Sequence, residues 1–290
     1  MNMVSARVAK DGFVIKDEEY AKFCEFFYRK TGIQFQENKK YYVERRIADR
    51  IAKTGSESFR DYFTFVRFQA TGEELQQLVN AMTVNETYFF REDYQFTALV
   101  RGVLPLLARD KDPRDPIRIW SIPCSSGEEP YSIAISILEN WDQSDSWDIE
   151  IHASDIDSKI LAEARAGRFG ARSLQRVSPH LVSKYFVPLG EGCYQIRDEL
   201  RESIDFSLVN VVDPAHTRRF RGIDVIFCRN LLIYFDDVAR RETVEMFYEA
   251  LAPGGFVCLG HSESMSRMSS LFVPRKFGDT IVYQKPSSRE

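Results

Sequence analysis

Histidine is scarce in this chain. Only four occur among 290 residues, scattered at positions 152, 180, 216 and 261. A histidine-based triad or a histidine-rich metal centre therefore has little to build from. Cysteine is sparse and unpatterned too. The five (24, 124, 193, 228, 258) include no Cys-x-x-Cys pair, which offers no zinc spacing and fits free thiols in a reducing cytoplasm. No stretch approaches ~18 uninterrupted apolar residues, so no span of a bilayer is expected. The start, MNMVSARVAKDGF, has no apolar core of a signal peptide. A basic excess is also missing: 39 Lys and Arg stand against 43 Asp and Glu, which argues against a globally basic nucleic-acid binder. With 44% apolar residues a disordered chain is excluded, and one large domain or two smaller ones are expected.

The first part of the chain reads as helical. Apolar spacing predicts helices over 17–31, 39–54, 58–69 and 73–82, with Val43, Ile47 and Ile51 as the stripe of the second. A further helix is predicted over 92–107, and RDKDPRDP (109–116) reads as a loop. The character then changes. Strands over 117–122, 148–154, 204–208, 224–228 and 256–259 alternate with helices over 130–141, 158–166 and 236–251, and 277–284 reads as a terminal strand. The helix over 236–251 is expected to end at Pro253-Gly254-Gly255. Alternation of this kind means βαβ units and a mostly parallel sheet. Between 167 and 204 the alternation lapses. A helix over 179–186 and strand candidates at 185–188 and 192–197 suggest an inserted hairpin. The expected organisation is a helical domain over 1–84, a linker and connecting helix over 85–116, and an α/β domain over 117–290 with an inserted β-subdomain at about 168–203.

In such a sheet, ligands bind at the carboxyl ends of the strands. The turn after the first strand, Pro123-Cys124-Ser125-Ser126-Gly127-Glu128-Glu129-Pro130, is rich in small residues but lacks both a Gly-x-Gly-x-x-Gly pattern and a phosphate-binding Lys. Glu128 and Glu129 there either favour the helix macrodipole or face a cation, amine or hydroxyl. The second strand ends in Ser154-Asp155-Ile156-Asp157, where an acidic residue commonly binds ribose hydroxyls; Asp157 suits a helix cap better than Asp155 does. Two acidic strand ends without a phosphate loop point to a positively charged nucleoside, which S-adenosylmethionine matches. Residues 85–92 (NETYFFRE) offer aromatics beside polar groups at a domain junction. The polar pair Arg229-Asn230 follows the buried strand IDVIFC at the same edge.

VNETYFFRE, IWSIPCSSGEEPYSIAI, ASDID, IDVIFCRNLLIYFD and LAPGGFVCLGHSES, in this order, closely resemble the chemotaxis receptor methyltransferase family of CheR type. The resemblance covers essentially the whole chain. It departs at Val84, where many members have a small polar residue, and at Ser264, where Asn is frequent. It implies a class I S-adenosylmethionine-dependent methyltransferase fold (α/β, Rossmann-like, mostly parallel sheet, with an inserted small β-subdomain) preceded by an all-α domain. It implies methylation of glutamate side chains of membrane chemoreceptors to γ-glutamyl methyl esters, with S-adenosylhomocysteine as product. Carried over by motif, the cofactor contacts are Asn85, Thr87, Arg91, Glu129 (in preference to Glu128), Asp155, Asn210, Val211, Arg229 and Asn230, with no metal. Arg91 and Tyr234 would lie nearest the transferred methyl.

The scarcity of histidine then makes sense. A glutamate carboxylate, with a pKa of about 4.3, is already an ionised nucleophile at neutral pH and needs no general base. The partner would be the helical bundle of a chemoreceptor. Residues 39–53 carry six basic side chains against two acidic ones, and Arg46, Arg50 and Lys53 share one helix face as the implied docking surface. Some family members also bind a receptor's carboxyl-terminal peptide on the inserted hairpin. The short connection at 187–192 places this chain with the members that do not need that tether. No nucleic acid and no membrane insertion are expected. The competing reading is a non-catalytic adaptor that docks receptors through a cofactor fold.

Overall fold

The computed structural model describes residues 14–287. The start read above for a signal peptide, MNMVSARVAKDGF, therefore lies outside the described residues. The chain divides into two compact units. One holds the described residues up to Val84 together with Tyr234–Asp236; the other holds Asn85–Ile233 and the described residues from Asp237 onward.

The first unit is built on four helices: α1 (Asp17–Thr31), α2 (Lys40–Thr54), α3 (Phe59–Phe68) and α4 (Glu73–Met82). Helix α1 has Asp17, Glu18 and Glu19 in its first turn and Arg29 and Lys30 in its last, the arrangement its macrodipole favours. Helix α3 starts where the Ser58 side chain accepts from Asp61 N–H. The core is aromatic, with Phe23 stacked on Phe27 and Phe59 on Phe63. Val43, Ile47 and Ile51 of α2 are buried against it. One ionic group is set into this core. Arg50 meets Glu74 through two hydrogen bonds, Nε to Oε1 at 2.9 Å and Nη2 to Oε2 at 2.6 Å, while Tyr62 Oη donates to Oε1 at 2.9 Å. Arg50, expected on the docking face, is thus spent on α4. The segment Tyr234–Asp236, assigned from sequence to the α/β domain, groups with this unit because Gln34 N–H donates to Tyr234 O and Tyr28 Oη to Asp236 Oδ1, each at 2.9 Å.

The second unit opens with α5 (Asp93–Ala98), a π-helical stretch Leu99–Val103 and α6 (Leu104–Asp110), so the helix predicted over 92–107 runs on into the expected loop. Strand β1 (Ile117–Ser121) leads to α7 (Glu128–Asn140), and β2 (Ile149–Asp155) leads to α8 (Ser158–Ala166). An inserted antiparallel sheet follows, made of β3 (Arg168–Gly170), β4 (Phe186–Gly190) and β5 (Cys193–Ile196) in the order β3-β5-β4, with α9 (Pro179–Tyr185) before β4. It has three strands where the sequence suggested a hairpin. The remaining elements are α10 (Asp198–Glu202), β6 (Ile204–Leu208), α11 (Pro214–Thr217), β7 (Ile223–Cys228), α12 (Asp237–Ala250), β8 (Leu251–Leu259), β9 (Val273–Phe277) and β10 (Thr280–Gln284).

The main sheet has the order β6-β2-β1-β7-β8-β10-β9. Its first five strands are parallel and the last two antiparallel. From β1 the chain proceeds to β2 and β6 on one side, then to β7 and β8 on the other, so the order reverses between β1 and β7. Two predictions at the far side need correction. Pro253-Gly254-Gly255 does not stand between a helix and a strand but inside β8, where the register against β7 shifts. A Cβ on Gly255 would come within 3.0 Å of Ala252 O and Asp224 O, so only glycine fits this close approach. The stretch read as one strand over 277–284 is a hairpin end, turning at Gly278 (φ 56°) and Asp279. No helix among the described residues is long and apolar enough to cross a membrane.

Removing the Glu74 charge leaves the largely enclosed Arg50 guanidinium without its counter-charge. Glu74→Gln is expected to lower unfolding free energy by about 3 kcal/mol, measured by denaturant titration; a loss under about 0.5 kcal/mol would class the pair with ordinary surface bridges.

Candidate functional site

The reversal of strand order opens a crevice at the carboxyl ends of β1 and β7. The turn after β1 is folded tightly against the end of β2. Cys124 N–H donates to Ser154 O at 2.8 Å and Ser125 N–H to Asp155 Oδ2 at 2.8 Å. Ser125 (φ 48°) and Gly127 (φ 96°) take left-handed conformations to make this possible. A Cβ on Gly127 would come 3.0 Å from the Tyr131 ring and 3.2 Å from Ala164. Asp155 is 3% exposed and also accepts from Asp157 N–H at 2.9 Å. Burial pushes its carboxyl up to about 6, against the opposing pull of those backbone donors. Asp157 caps α8, accepting from the N–H groups of Lys159 and Ile160.

The segment 85–92 is stitched to this edge at several points. Asn85 Nδ2 donates to Asp157 Oδ2 at 2.8 Å, Phe89 N–H to Ser173 O at 3.0 Å and Phe90 N–H to Ser132 Oγ at 3.0 Å. Phe89 packs edge-on against Phe169 of β3 and Phe186 of β4. Thr87 is half-buried between these anchors. Arg91 Nη1 donates to Glu86 O at 2.9 Å, and its guanidinium lies 6.0 Å from the Tyr88 ring centre. Phe90 (φ 55°) and Glu92 (φ 57°) flank it in left-handed conformations.

Arg229 sits at the centre of the site. Its side chain is 3% exposed. Nη1 donates to Glu129 Oε2 at 3.0 Å; Nη2 donates to Arg91 O and lies 3.3 Å from Glu92 Oε2. Glu129 also accepts from Ser121 Oγ at the end of β1, at 2.7 Å. Burial pushes the Glu129 carboxyl up in spite of Arg229. Burial also pushes on Glu92, but Arg229, His261 and Tyr94 outweigh it, and the carboxyl lies below its usual range. The adjacent Asn230 (φ 60°) is held by Glu263, which accepts from the N–H groups of Asn230, Leu232 and Gly260 at 2.8–3.0 Å. On the other side of the crevice, Asn210 follows β6, its N–H donating to His216 Nδ1 at 3.1 Å, and Val211 is buried.

The crevice thus gathers Asn85, Thr87, Arg91, Glu129, Asp155, Arg229 and Asn230 around the turns after β1, β2 and β7, with Asn210 and Val211 after β6. Tyr234 belongs to the first unit. Glu128 accepts from the Ser126 and Ser173 hydroxyls. Comparison with known proteins decides what this arrangement is. Residues 18–83 match the family "CheR methyltransferase, all-alpha domain" and residues 85–279 match "CheR methyltransferase, SAM binding domain".

The chain belongs to the CheR methyltransferase family. It is 52% identical over 273 residues, 94% of each chain, to chemotaxis protein methyltransferase 2 of Vibrio cholerae. It is 34% identical over 274 residues to a chemotaxis protein methyltransferase of Vibrio parahaemolyticus (93% of this chain, 98% of that one), and 32% identical over 272 residues to one of Salmonella typhimurium (92% and 90%). The larger unit of this CheR protein is a domain for S-adenosylmethionine, and the donor set fits that molecule. The turn after β1 carries no lysine for a phosphate, while Asp155 supplies a buried acceptor for hydroxyls. Sequence reasoning gave no role to Glu92 or Glu263, which hold Arg229 and Asn230. Glu92 directly follows Arg91 and Glu263 lies in GHSES, so both were inside recognised motifs; their pairing across the fold was not readable.

Ionised Asp155 is the form that accepts two hydroxyl donors. Its folded pKa lies above the ordinary carboxyl value, so protonation is favoured in the folded protein between about pH 4 and 6. Stability contributed by this group is therefore present at low pH and lost as pH rises through about 6. Cofactor affinity should run the other way, rising as pH passes through about 6, and Asp155→Asn should flatten both trends. Calorimetric titration of S-adenosylmethionine from pH 5 to 8 checks this; a pH-independent affinity in the wild type would contradict it.

Proposed function

We propose that this protein is a protein-glutamate O-methyltransferase, acting on glutamate side chains of membrane chemoreceptors to form γ-glutamyl methyl esters. Membership of the CheR family supports methylation in chemotaxis. The observation that carries the finer reading is Arg91. Its segment is pinned to the cofactor edge, yet among the described residues no acidic side chain is paired with it. A guanidinium left open in this way matches an incoming carboxylate through two hydrogen bonds.

When bound, S-adenosylmethionine supplies an electrophilic methyl group on a sulfonium. In this reading Asp155 accepts the ribose hydroxyls, and Asn210 and Val211 flank the adenine. Glu129, which faces the β1–β7 gap, and the adjoining Asn85, Thr87 and Asn230 meet the amino-acid portion. Arg229 is so fully engaged with Glu129, Glu92 and Arg91 O that its part is to hold those groups in place rather than to reach the cofactor. Arg91 orients the acceptor carboxylate. For Tyr234 the proposed orienting role rests on the family resemblance.

No base is needed, so catalysis comes from alignment. The pairing with Arg91 must stay loose enough not to favour the ground-state carboxylate over the charge-dispersed transition state. Receptor helices are proposed to dock on the helical unit. Lys53 is exposed and Arg46 is half-buried over the Tyr42 ring at 5.1 Å, whereas Arg50 is withdrawn from that surface by Glu74.

Incubation with methyl-labelled cofactor and a chemoreceptor cytoplasmic fragment should place on the fragment a label that base releases. A protein that binds cofactor but transfers nothing would be the adaptor of the competing reading. Arg91→Ala should lower kcat by roughly a hundredfold while shifting cofactor Kd less than about threefold; equal losses would contradict the carboxylate-orienting role.

A further inference from the structure

The loop between β3 and α9 brings further basic side chains to the segment that carries Arg91. Residues 170–177 form successive turns, with Ser173 N–H bonded to Gly170 O at 3.0 Å and Val177 N–H to Leu174 O at 2.9 Å. Leu174 and Val177 are buried, which anchors the loop on both sides of Arg176. Ser173 fixes it again: its hydroxyl donates to Glu128 at the start of α7, and its carbonyl accepts from Phe89 N–H. The loop is therefore a firm platform beside residues 85–91.

Two guanidiniums share the Tyr88 ring. Arg91 lies 6.0 Å and Arg176 5.3 Å from its centre. Arg172 adds a third positive group, its side chain 89% exposed and 3.7 Å from Glu86 Oε1. Arg176 is exposed, and among the described residues it has no ion-pair partner. Two guanidiniums on one ring, with the exposed Arg172 beside Glu86 on the same segment, give this surface a local positive field. The Arg172–Glu86 pair is of the exposed kind that contributes little and exchanges partners easily.

We propose that Arg176, assisted by Arg172, is a specificity-determining residue: it receives an acidic side chain that neighbours the acceptor glutamate on the substrate helix. This rests on the reading of the protein as a glutamate methyltransferase. Residues one turn apart on a helix have Cβ atoms about 5–6 Å apart, a spacing that two guanidiniums lodged on one ring can serve together. The second carboxylate does not react, so its capture stabilises the bound and the transition states alike and appears in KM. Charge recognition moved onto that neighbour spares the nucleophile: Arg91 need not hold the acceptor tightly.

The test uses a chemoreceptor cytoplasmic fragment and a variant of it whose acidic residues one helical turn from the acceptor glutamates are changed to lysine. Arg176→Glu should raise KM for the original fragment about tenfold, with kcat and the cofactor Kd within about twofold. Arg176→Lys should restore part of the loss. Pairing Arg176→Glu with the lysine-bearing fragment should recover most of it, and high salt should shrink all these differences. An unchanged KM, a loss falling equally on kcat or cofactor binding, or no recovery on charge exchange would overturn the proposal. Should the wild type attach no base-labile methyl to the original fragment, the glutamate reading falls and this inference with it. Labelling by the wild type with Arg176→Glu unimpaired overturns this inference alone.

Discussion

The buried guanidinium of Arg229 is the interaction on which the site depends. An arginine taken out of water is tolerated only when its donors are matched by acceptors of opposite charge. Here Glu129, Glu92 and Arg91 O surround it, while Nε finds no acceptor among the described residues. These partners come from separate stretches of chain: the start of α7, the turn after residues 85–91, and, through Glu129, the Ser121 hydroxyl at the end of β1. One planar group with donors in fixed directions thus sets the spacing between the β1 turn, the β7 end and the segment bearing Arg91. Lysine, a point charge on a flexible stem, has no equivalent geometry.

That network explains why unfavourable backbone conformations persist where they do. Phe90, Glu92, Ser125 and Asn230 all have φ between 48° and 60°, and each borders the crevice. Such residues cost on the order of 1–3 kcal/mol each and survive only where the surroundings over-determine them. Arg229 and Ser132 hold the first two, Asp155 holds Ser125, and Glu263 holds Asn230. The α/β scaffold supplies the reversal point, and buried carboxylates supply the local fastening. The open guanidinium of Arg91 is what this fastening presents to solvent.

Much of the fold was legible in the sequence because its signals are local. The spacing of Val43, Ile47 and Ile51, the apolar run IDVIFC and the alternation of strands with helices each follow from one stretch of chain. Where reading failed, the deciding partner was distant. Pro253-Gly254-Gly255 looks like a helix stop, yet Ile223 and Asp224 across the sheet draw it into β8 as a bulge. Arg50 lies on the expected basic face of its helix, but Glu74, two helices on, turns it inward. The site shows the same division. Its motifs mark which loops converge, while the proposal of Arg229 as an anchor rather than a ligand needed the positions of Glu129 and Glu92.

The central claim is that Arg229 organises the cofactor crevice through its ion pairs. Calorimetric titration of S-adenosylmethionine into Arg229→Lys tests it most directly. A folded variant that binds the cofactor at least about tenfold more weakly than the wild type is the expected result, since the charge is kept and only the geometry is lost. Wild-type affinity in that variant would contradict the account.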